Sequence, residues 1–289
     1  MPIALTAALM FMQVGPDPTA GEIPGIPEEL RDRGERTPPS AEPEQGRDSL
    51  LARCLRRTAS DPQLALDMAQ QWREQAETEL DFAQSAHCVG LALVKLGRMT
   101  EAREAFELAS AEAPQDNLSY SARLSAMAGN AALTQDDIEG AIALLDRAGG
   151  MALADTNGEL AADLRVDLAR ILVRAGREED AAAALAEARE VDAMDGEAWL
   201  LSATLSRRLQ RLGEAQGQIQ RAAFIDPRNP AIGLEAGVIA ALSGREADAR
   251  ASFASVMDVA PGTPAAERAQ SYLDQLDEPA PDPEPAQDP

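Results

Sequence analysis

The chain has 289 residues, a formal net charge of −23 and 26 basic residues, all of them arginine except Lys95. So large an excess of acid argues against DNA or RNA as a partner, because no extended surface could neutralise phosphates. Aromatic residues make up only 3% of a chain in which hydrophobic residues, mainly alanine, make up 45%, which favours an all-α fold assembled from thin repeated layers over one large core.

Residues 1–20 contain an apolar run from Ile3 to Val14, interrupted by Thr6 and Gln13. The run is too short to cross a bilayer as a transmembrane span, and it has the length of a signal-peptide core. No Lys or Arg precedes it, and Pro18-Thr19-Ala20 is a weak cleavage signature. We therefore expect a signal peptide and a periplasmic or exported protein, with a cytosolic N-terminus or a misassigned start, and hence a cytoplasmic location, as the alternative.

Two further segments have the composition of disordered chain. Residues 21–47 are rich in proline and glutamate, and residues 278–289 alternate proline with acid and contain no basic residue. Such segments cannot bury enough apolar area to offset the entropy lost on ordering. The sequence predicts a disordered tether before the folded region and a disordered acidic tail after it.

Helical periodicity occupies residues 48–277. Leu51, Leu55 and Thr58 share one face of a first helix, and Asp61-Pro62 supplies the N-cap and first turn of a second. Gly149-Gly150 is expected to end or loosen its helix early. The spacing predicts six helix pairs and a capping helix, at about 49–81, 82–115, 122–155, 162–195, 196–229, 230–263 and 264–277.

Three consecutive windows of 34 residues, from Ala162 to Thr263, repeat one pattern of small residues and breakers. In the last window Gly237, Ala249, Phe253 and Pro261 occupy the small, aromatic and breaker places of L-G-x-x-Y…A-x-x-x-F…P. The pattern resembles the tetratricopeptide repeat (TPR) family. The resemblance implies a right-handed superhelical solenoid of antiparallel helix pairs, and core packing accounts for the residues that carry it: Gly90, Ala102, Phe106, Gly129, Trp199, Gly237 and Phe253.

In TPR proteins the first helix of each pair lines a concave groove, so residues on that face are candidates for contact with a partner. The candidates are Arg123, Asn130, Arg170, Arg174, Thr204, Arg207 and Arg208. Clustered guanidinium groups bind carboxylates bidentately, which points to a protein or peptide with an acidic or C-terminal carboxylate group. The alternative is that these arginines pair with acids of the chain itself, such as Asp167 or Glu197.

Cys54 and Cys88 are one repeat length apart, and His87 adjoins the second cysteine. Equivalent positions on neighbouring helices would lie roughly 8–10 Å apart, beyond the usual disulfide range, unless the first pair is irregular. A bridge and two buried thiols therefore both remain open. With one histidine and two cysteines, the sequence predicts no metal site and no cofactor.

No catalytic motif occurs, and the chain lacks a second histidine for acid–base work. We expect a non-catalytic scaffold that binds a peptide or protein in the concave groove of a TPR solenoid in the bacterial cell envelope. A redox- or metal-responsive protein acting through Cys54, Cys88 and His87 is one alternative. A cytosolic assembly adaptor with the same fold is another.

Overall fold

The computed structural model describes residues 49–278, which form thirteen α-helices and no β-strand. The predicted signal peptide, the tether and all but the first residue of the acidic tail lie outside the described residues. In chain order the helices are α1 (Leu50–Ser60), α2 (Pro62–Glu74), α3 (Glu79–Lys95), α4 (Met99–Glu112), α5 (Leu118–Leu133), α6 (Ile138–Ala154), α7 (Gly158–Arg174), α8 (Glu178–Val191), α9 (Gly196–Arg208), α10 (Leu212–Ile225), α11 (Pro230–Leu242), α12 (Glu246–Val259) and α13 (Pro264–Asp277).

Each helix packs against the next one in the chain, and first helices of successive pairs also touch, as α1 touches α3 and α9 touches α11. Every contact between elements therefore joins near neighbours in sequence, which is the organisation of a solenoid. The core is a continuous seam of alanine and leucine between the helices rather than a central cluster. The predicted all-α, TPR-like solenoid is confirmed.

Local sequence explains where the helices begin and end. The side chains of Asp61, Asn117, Asn157 and others accept hydrogen bonds from the backbone N–H groups of the first helical turn. Helices α4, α8, α10 and α12 begin instead after an arginine whose side chain makes no such bond: Arg98, Arg177, Arg211 and Arg245. These four side chains remain free to bind acids and amides elsewhere.

The extra residues before two predicted pairs extend helices rather than forming loops. Asn117 and Asn157 cap α5 and α7, which begin at Leu118 and Gly158, four residues before the predicted repeat starts at 122 and 162. The prediction for Gly149-Gly150 was wrong, because α6 continues through both glycines to Ala154. A Cβ atom on Gly149 would lie 3.2 Å from the guanidinium of Arg165, so close packing of α7 explains this glycine and overrides its low helix propensity.

A glycine opposite a phenylalanine brings the two helices of a pair close together. A Cβ atom on Gly90 of α3 would lie 2.5 Å from the ring of Phe106 on α4, and Phe106 is almost fully buried. Gly237 of α11 faces Phe253 of α12 in the same way. Glycine is unfavourable inside a helix, so close approach of the partner helix is the physical reason for its presence at both positions.

We expect Gly90→Ala to lower the free energy of unfolding by about 1–2 kcal/mol, because overpacking outweighs the gain in helix propensity. Gly217→Ala, inside α10 where an added Cβ meets nothing within 4 Å, should instead raise it by up to about 1 kcal/mol. Urea unfolding followed by circular dichroism measures both values. Equal effects of the two substitutions would show that the Phe106 ring does not restrict Gly90.

Candidate interaction groove

The first helices of the fourth and fifth pairs, α7 and α9, enclose a cavity of about 190 Å³. We call this surface the α7–α9 groove. Its lining is mostly apolar, with a threonine and two arginines at the rim: Ala169, Arg170, Val173, Leu185, Leu201, Thr204, Leu205 and Arg208. An apolar depression with a few polar groups at its rim is the usual form of a site that takes one side chain of a ligand.

Three of the candidate residues predicted from the sequence lie at this groove, and helical spacing explains why each is on the helix face that borders it. Arg170 stands on α7, and Thr204 and Arg208 are one turn apart on α9. The Thr204 hydroxyl donates a hydrogen bond to the carbonyl of Leu200 at 3.0 Å, so this polar group already has a partner within α9.

Both rim arginines are already paired with carboxylates of the chain. Arg170 binds Asp167 at 2.6 Å and also binds Glu197, which lies across the groove on α9. Arg208 binds Glu178, the first residue of α8, at 2.5 Å. A ligand carboxylate would have to displace one of these groups, so it would gain little net free energy from either arginine.

The other two arginines of the predicted cluster point away from the cavity. Arg174 reaches back to Asp136 in the turn between α5 and α6, at 3.0 Å. Arg207 reaches forward to Glu235 on α11 at 2.5 Å, and the side chains of this pair are only 23% and 12% exposed. Arg174 and Arg207 therefore join adjacent repeats, and the structure does not gather the four guanidinium groups at one site.

Arg123 and Asn130 lie exposed on α5, outside the α7–α9 groove. Within residues 49–278 neither side chain has a hydrogen-bond partner. Trp199, which the repeat pattern assigns to the core, packs only partly against the cluster between α9 and α11. The guanidinium carbon of Arg189 also stacks on the Trp199 ring, 4.7 Å from its centroid.

Carboxylates outnumber guanidinium groups beside the groove, because Arg170 and Arg208 are paired with three acids: Asp167, Glu197 and Glu178. Burial raises the pKa of Asp163, one turn before Asp167, and the nearby carboxylates of Asp195, Glu159, Asp167 and Glu197 raise it further. Burial is the larger cause of this shift, and the part due to the neighbouring carboxylates shows that they repel a further negative charge near Asp163. The groove therefore suits a neutral or cationic group better than an anion.

Sequence reasoning missed the residues that form the cavity itself. Val173, Leu185, Leu201 and Leu205 line it, and each was interpretable only as a core residue of its own helix. Leu201 and Leu205 are four residues apart on α9, and Val173 follows Ala169 by four residues on α7. This spacing indicates an apolar stripe on each helix. Whether such a stripe is filled by a neighbouring helix or left open depends on helix spacing.

The two cysteines are joined by a disulfide between α1 and α3, with their Cα atoms 6.0 Å apart. This separation is shorter than the roughly 8–10 Å expected for equivalent positions on neighbouring helices, and it lies within the usual range of a disulfide. Cys54 and Cys88 are both buried, which keeps attacking thiols away from the sulfur atoms. The part of the chain that the structure describes contains no group of three or more His, Cys, Asp or Glu residues placed to hold a metal ion.

His87 adjoins Cys88 of this bridge in sequence, but its side chain faces Tyr120 on α5, in the next helix pair. Its Nδ1 atom is 3.1 Å from the Tyr120 hydroxyl, and within residues 49–278 its buried Nε2 atom has no partner. Burial lowers the pKa of His87 to about 4 and raises the pKa of Tyr120 to about 12. Both side chains are therefore neutral near pH 7 and contribute packing and one hydrogen bond.

No protein-family model matches the sequence, and a search of curated proteins finds no relative. Solved structures are similar: PilF of Pseudomonas aeruginosa has a TM-score of 0.55 at 14% identity, over 78% of this chain and 96% of that one. YrrB, a TPR protein with an unusual peptide-binding site, has a TM-score of 0.51 at 18% identity, over 70% and 97%. BtubC from P. vanneervenii has a TM-score of 0.55 at 14% identity, over 81% and 96%.

At these identities the likeness concerns the fold, and it establishes that residues 49–278 have a TPR-like fold. Within that range, no helix has both the length and the apolar character that a membrane span requires.

We expect acid to destabilise the fold partly through His87. Its pKa is about 4 when folded and near 6.5 in the unfolded chain, so the unfolded state binds the proton more tightly between those values. Stability is therefore fully present above pH 6.5 and declines by about 3 kcal/mol as the pH falls to about 4.

Urea unfolding of the wild type and of His87→Gln across this pH range isolates the effect, because every other titrating group is common to both proteins. Glutamine does not titrate and retains a polar group near Tyr120. The same pH dependence in both proteins would show that His87 does not cause the decline.

Proposed function

We propose that this protein is a non-catalytic interaction scaffold that holds a peptide segment of a protein partner in the α7–α9 groove. The observation that carries the proposal is the apolar cavity of about 190 Å³ between the first helices of two successive pairs. A TPR-like fold presents such helices side by side. Among proteins of this fold, YrrB has an unusual peptide-binding site, and this supports a peptide as the ligand.

The groove predicts the chemistry of that peptide. Val173, Leu201 and Leu205 favour an aliphatic or aromatic side chain, since desolvating apolar area supplies about 25 cal/mol for each Å² buried. Rim carboxylates such as Asp167 and Glu197 favour a flanking lysine or arginine. An acidic or carboxylate-terminated peptide is less suited, because Arg170 and Arg208 already have carboxylate partners.

We expect a displayed peptide library selected on the full-length protein to be enriched in a large apolar residue next to a basic one. Thr204→Trp should fill the cavity and weaken binding of the selected peptides by at least about tenfold, the equivalent of about 1.4 kcal/mol. Fluorescence anisotropy of a labelled selected peptide measures the affinity.

Ser255→Trp on the exposed face of α12 is the matched control, because it adds the same ring far along the chain from α7 and α9. Circular dichroism must show equal helicity for both variants. If Thr204→Trp binds the selected peptides as the wild type does, the α7–α9 groove is not their binding site.

We further propose that the protein works in an oxidising compartment of the cell envelope. Two features support this location: the apolar run from Ile3 to Val14, and a buried disulfide between α1 and α3. Structural disulfides persist in exported proteins and are rare in the cytosol. A bridge closing this loop stabilises the fold by about 3–4 kcal/mol in the chain-entropy model.

Protein purified from the native host without reductant, unfolded and treated with a thiol alkylating agent, should gain no alkyl group by mass spectrometry. Prior reduction should add one group to each of Cys54 and Cys88, which is the internal control for reactivity. Alkylation at both cysteines without reduction would contradict the bridge and, with it, the oxidising location.

A further inference from the structure

A second surface of different chemistry lies where α8 and α10 end and α9 begins. We call it the edge patch, and it consists of Arg189, Met194, Trp199, Arg221 and Phe224. Phe224 is 71% exposed and Met194 57% exposed, the two largest values among the exposed large hydrophobic residues within 49–278. Neither residue lines the α7–α9 groove.

Hydrogen bonds and ring contacts join the five side chains into one surface. The carbonyl oxygen of Ala193 accepts from Trp199 Nε1 at 3.1 Å and from Arg221 Nη2 at 3.4 Å. Arg221 Nη2 also lies 3.6 Å from the sulfur of Met194. Ala193, in the loop before α9, therefore fixes the relative positions of a tryptophan on α9 and an arginine on α10.

Each arginine of the patch stacks on an aromatic ring. The guanidinium carbon of Arg189 is 4.7 Å from the centroid of Trp199, and that of Arg221 is 5.3 Å from the centroid of Phe224. Stacking on a ring orders a guanidinium group while its N–H groups stay available to a ligand. Within residues 49–278, Arg189 donates only through its Nε atom, to the carbonyl of Leu185.

Neither arginine takes part in an ion pair among the described residues. Glu190 and Glu214 act on Arg189 only through longer-range attraction, and burial lowers the pKa of that arginine. Arg170 and Arg208 at the groove, by contrast, are both paired with carboxylates. Other arginines of residues 49–278 also lack a carboxylate partner, but no guanidinium–ring contact orders them: Arg53, Arg57, Arg123, Arg147, Arg228 and Arg268.

From this arrangement we infer that the edge patch is a second docking surface, one that binds an acidic segment of a partner protein carrying an aromatic or large aliphatic side chain. Two ordered guanidinium groups without carboxylate partners supply the charge complementarity. Trp, Phe, Met and Arg are also the residues most enriched at the energetic centres of protein interfaces. The inference does not depend on the α7–α9 groove, which favours neutral or basic ligands.

Two other occupants are less well matched. A nucleic acid would bring a continuous row of phosphates, and the patch offers only two guanidinium groups to neutralise them, whereas a short acidic segment needs no more than two. Two copies of the patch placed face to face in a symmetric dimer would bring like charges together, because the same surface then meets itself. An acidic partner protein satisfies both the arginines and the exposed rings.

The test uses the full-length protein and a short labelled synthetic peptide in which phenylalanine and leucine alternate with aspartate and glutamate. Fluorescence anisotropy should show binding that weakens as ionic strength rises. A peptide with lysine in place of every acid should not bind at this surface. In a Trp72→Phe protein, the emission of Trp199 should shift on addition of the acidic peptide, because Trp199 lies in the patch.

The double substitution Arg189→Gln with Arg221→Gln should weaken binding by about tenfold, the equivalent of about 1.4 kcal/mol. Arg98→Gln with Arg245→Gln is the matched control, since it removes the same charge from arginines paired with Glu101 and Asp248, and it should change the affinity by less than about twofold. Phe224→Ser should also weaken binding, whereas Leu242→Ser, which removes an exposed residue elsewhere, should not.

Equal weakening by the two arginine pairs would overturn the inference, because it would show long-range attraction to any positive charge. Equal weakening of lysine-peptide and acidic-peptide binding by Arg189→Gln with Arg221→Gln would overturn it as well, because the two arginines would then not select an acidic ligand. Self-association in sedimentation velocity that disappears in the Arg189→Gln, Arg221→Gln protein would assign the patch to another copy of this chain instead of an acidic partner protein. Circular dichroism of each variant verifies that its helices are intact.

Discussion

Close packing between neighbouring helices is the constraint on which the rest of this molecule depends. Only 3% of the residues are aromatic, and residues 49–278 bury thin faces of alanine and leucine pair by pair. Where a large ring is used, as at Phe106, the facing residue is Gly90, so the helix axes can approach. Each helix pair is stable only when it packs against its neighbours. The first helix of a pair, and any binding surface on it, is therefore held in place by the pairs on either side.

Charge is arranged around this seam so that most arginines join repeats. Arg73 binds Glu112, Arg174 binds Asp136 and Arg207 binds Glu235, in each case across the boundary between adjacent pairs. Within an acidic chain these pairs reduce the repulsion between neighbouring helices. Ion pairs also occupy the guanidinium groups at the α7–α9 groove, which has apolar walls and more carboxylates than arginines beside it. At the edge patch, by contrast, aromatic rings order two arginines that have no carboxylate partner among the described residues.

The fold was predictable from sequence because its signals are local. Asn157 before α7 and Pro264 at the start of α13 act within one helical turn, and the small residues of the 34-residue pattern recur at a fixed spacing. The exceptions also have a physical cause: Gly149-Gly150 predicts a helix end, but packing of Arg165 against Gly149 keeps α6 continuous to Ala154. Tertiary contact there outweighs the propensity of two glycines.

The sequence by itself determined the class of fold, the helix faces, and the candidate status of Arg170, Thr204 and Arg208. Helical spacing alone decides which residues share a face. The tertiary structure decided that Arg174 and Arg207 bind acids of adjacent repeats, that Val173 and Leu201 line an open cavity, and that Arg221 meets Trp199 at the carbonyl of Ala193. These facts depend on distances between side chains from 27 to 38 positions apart in sequence, which are set by how far each helix is displaced against the next, and no local pattern of residues encodes that displacement.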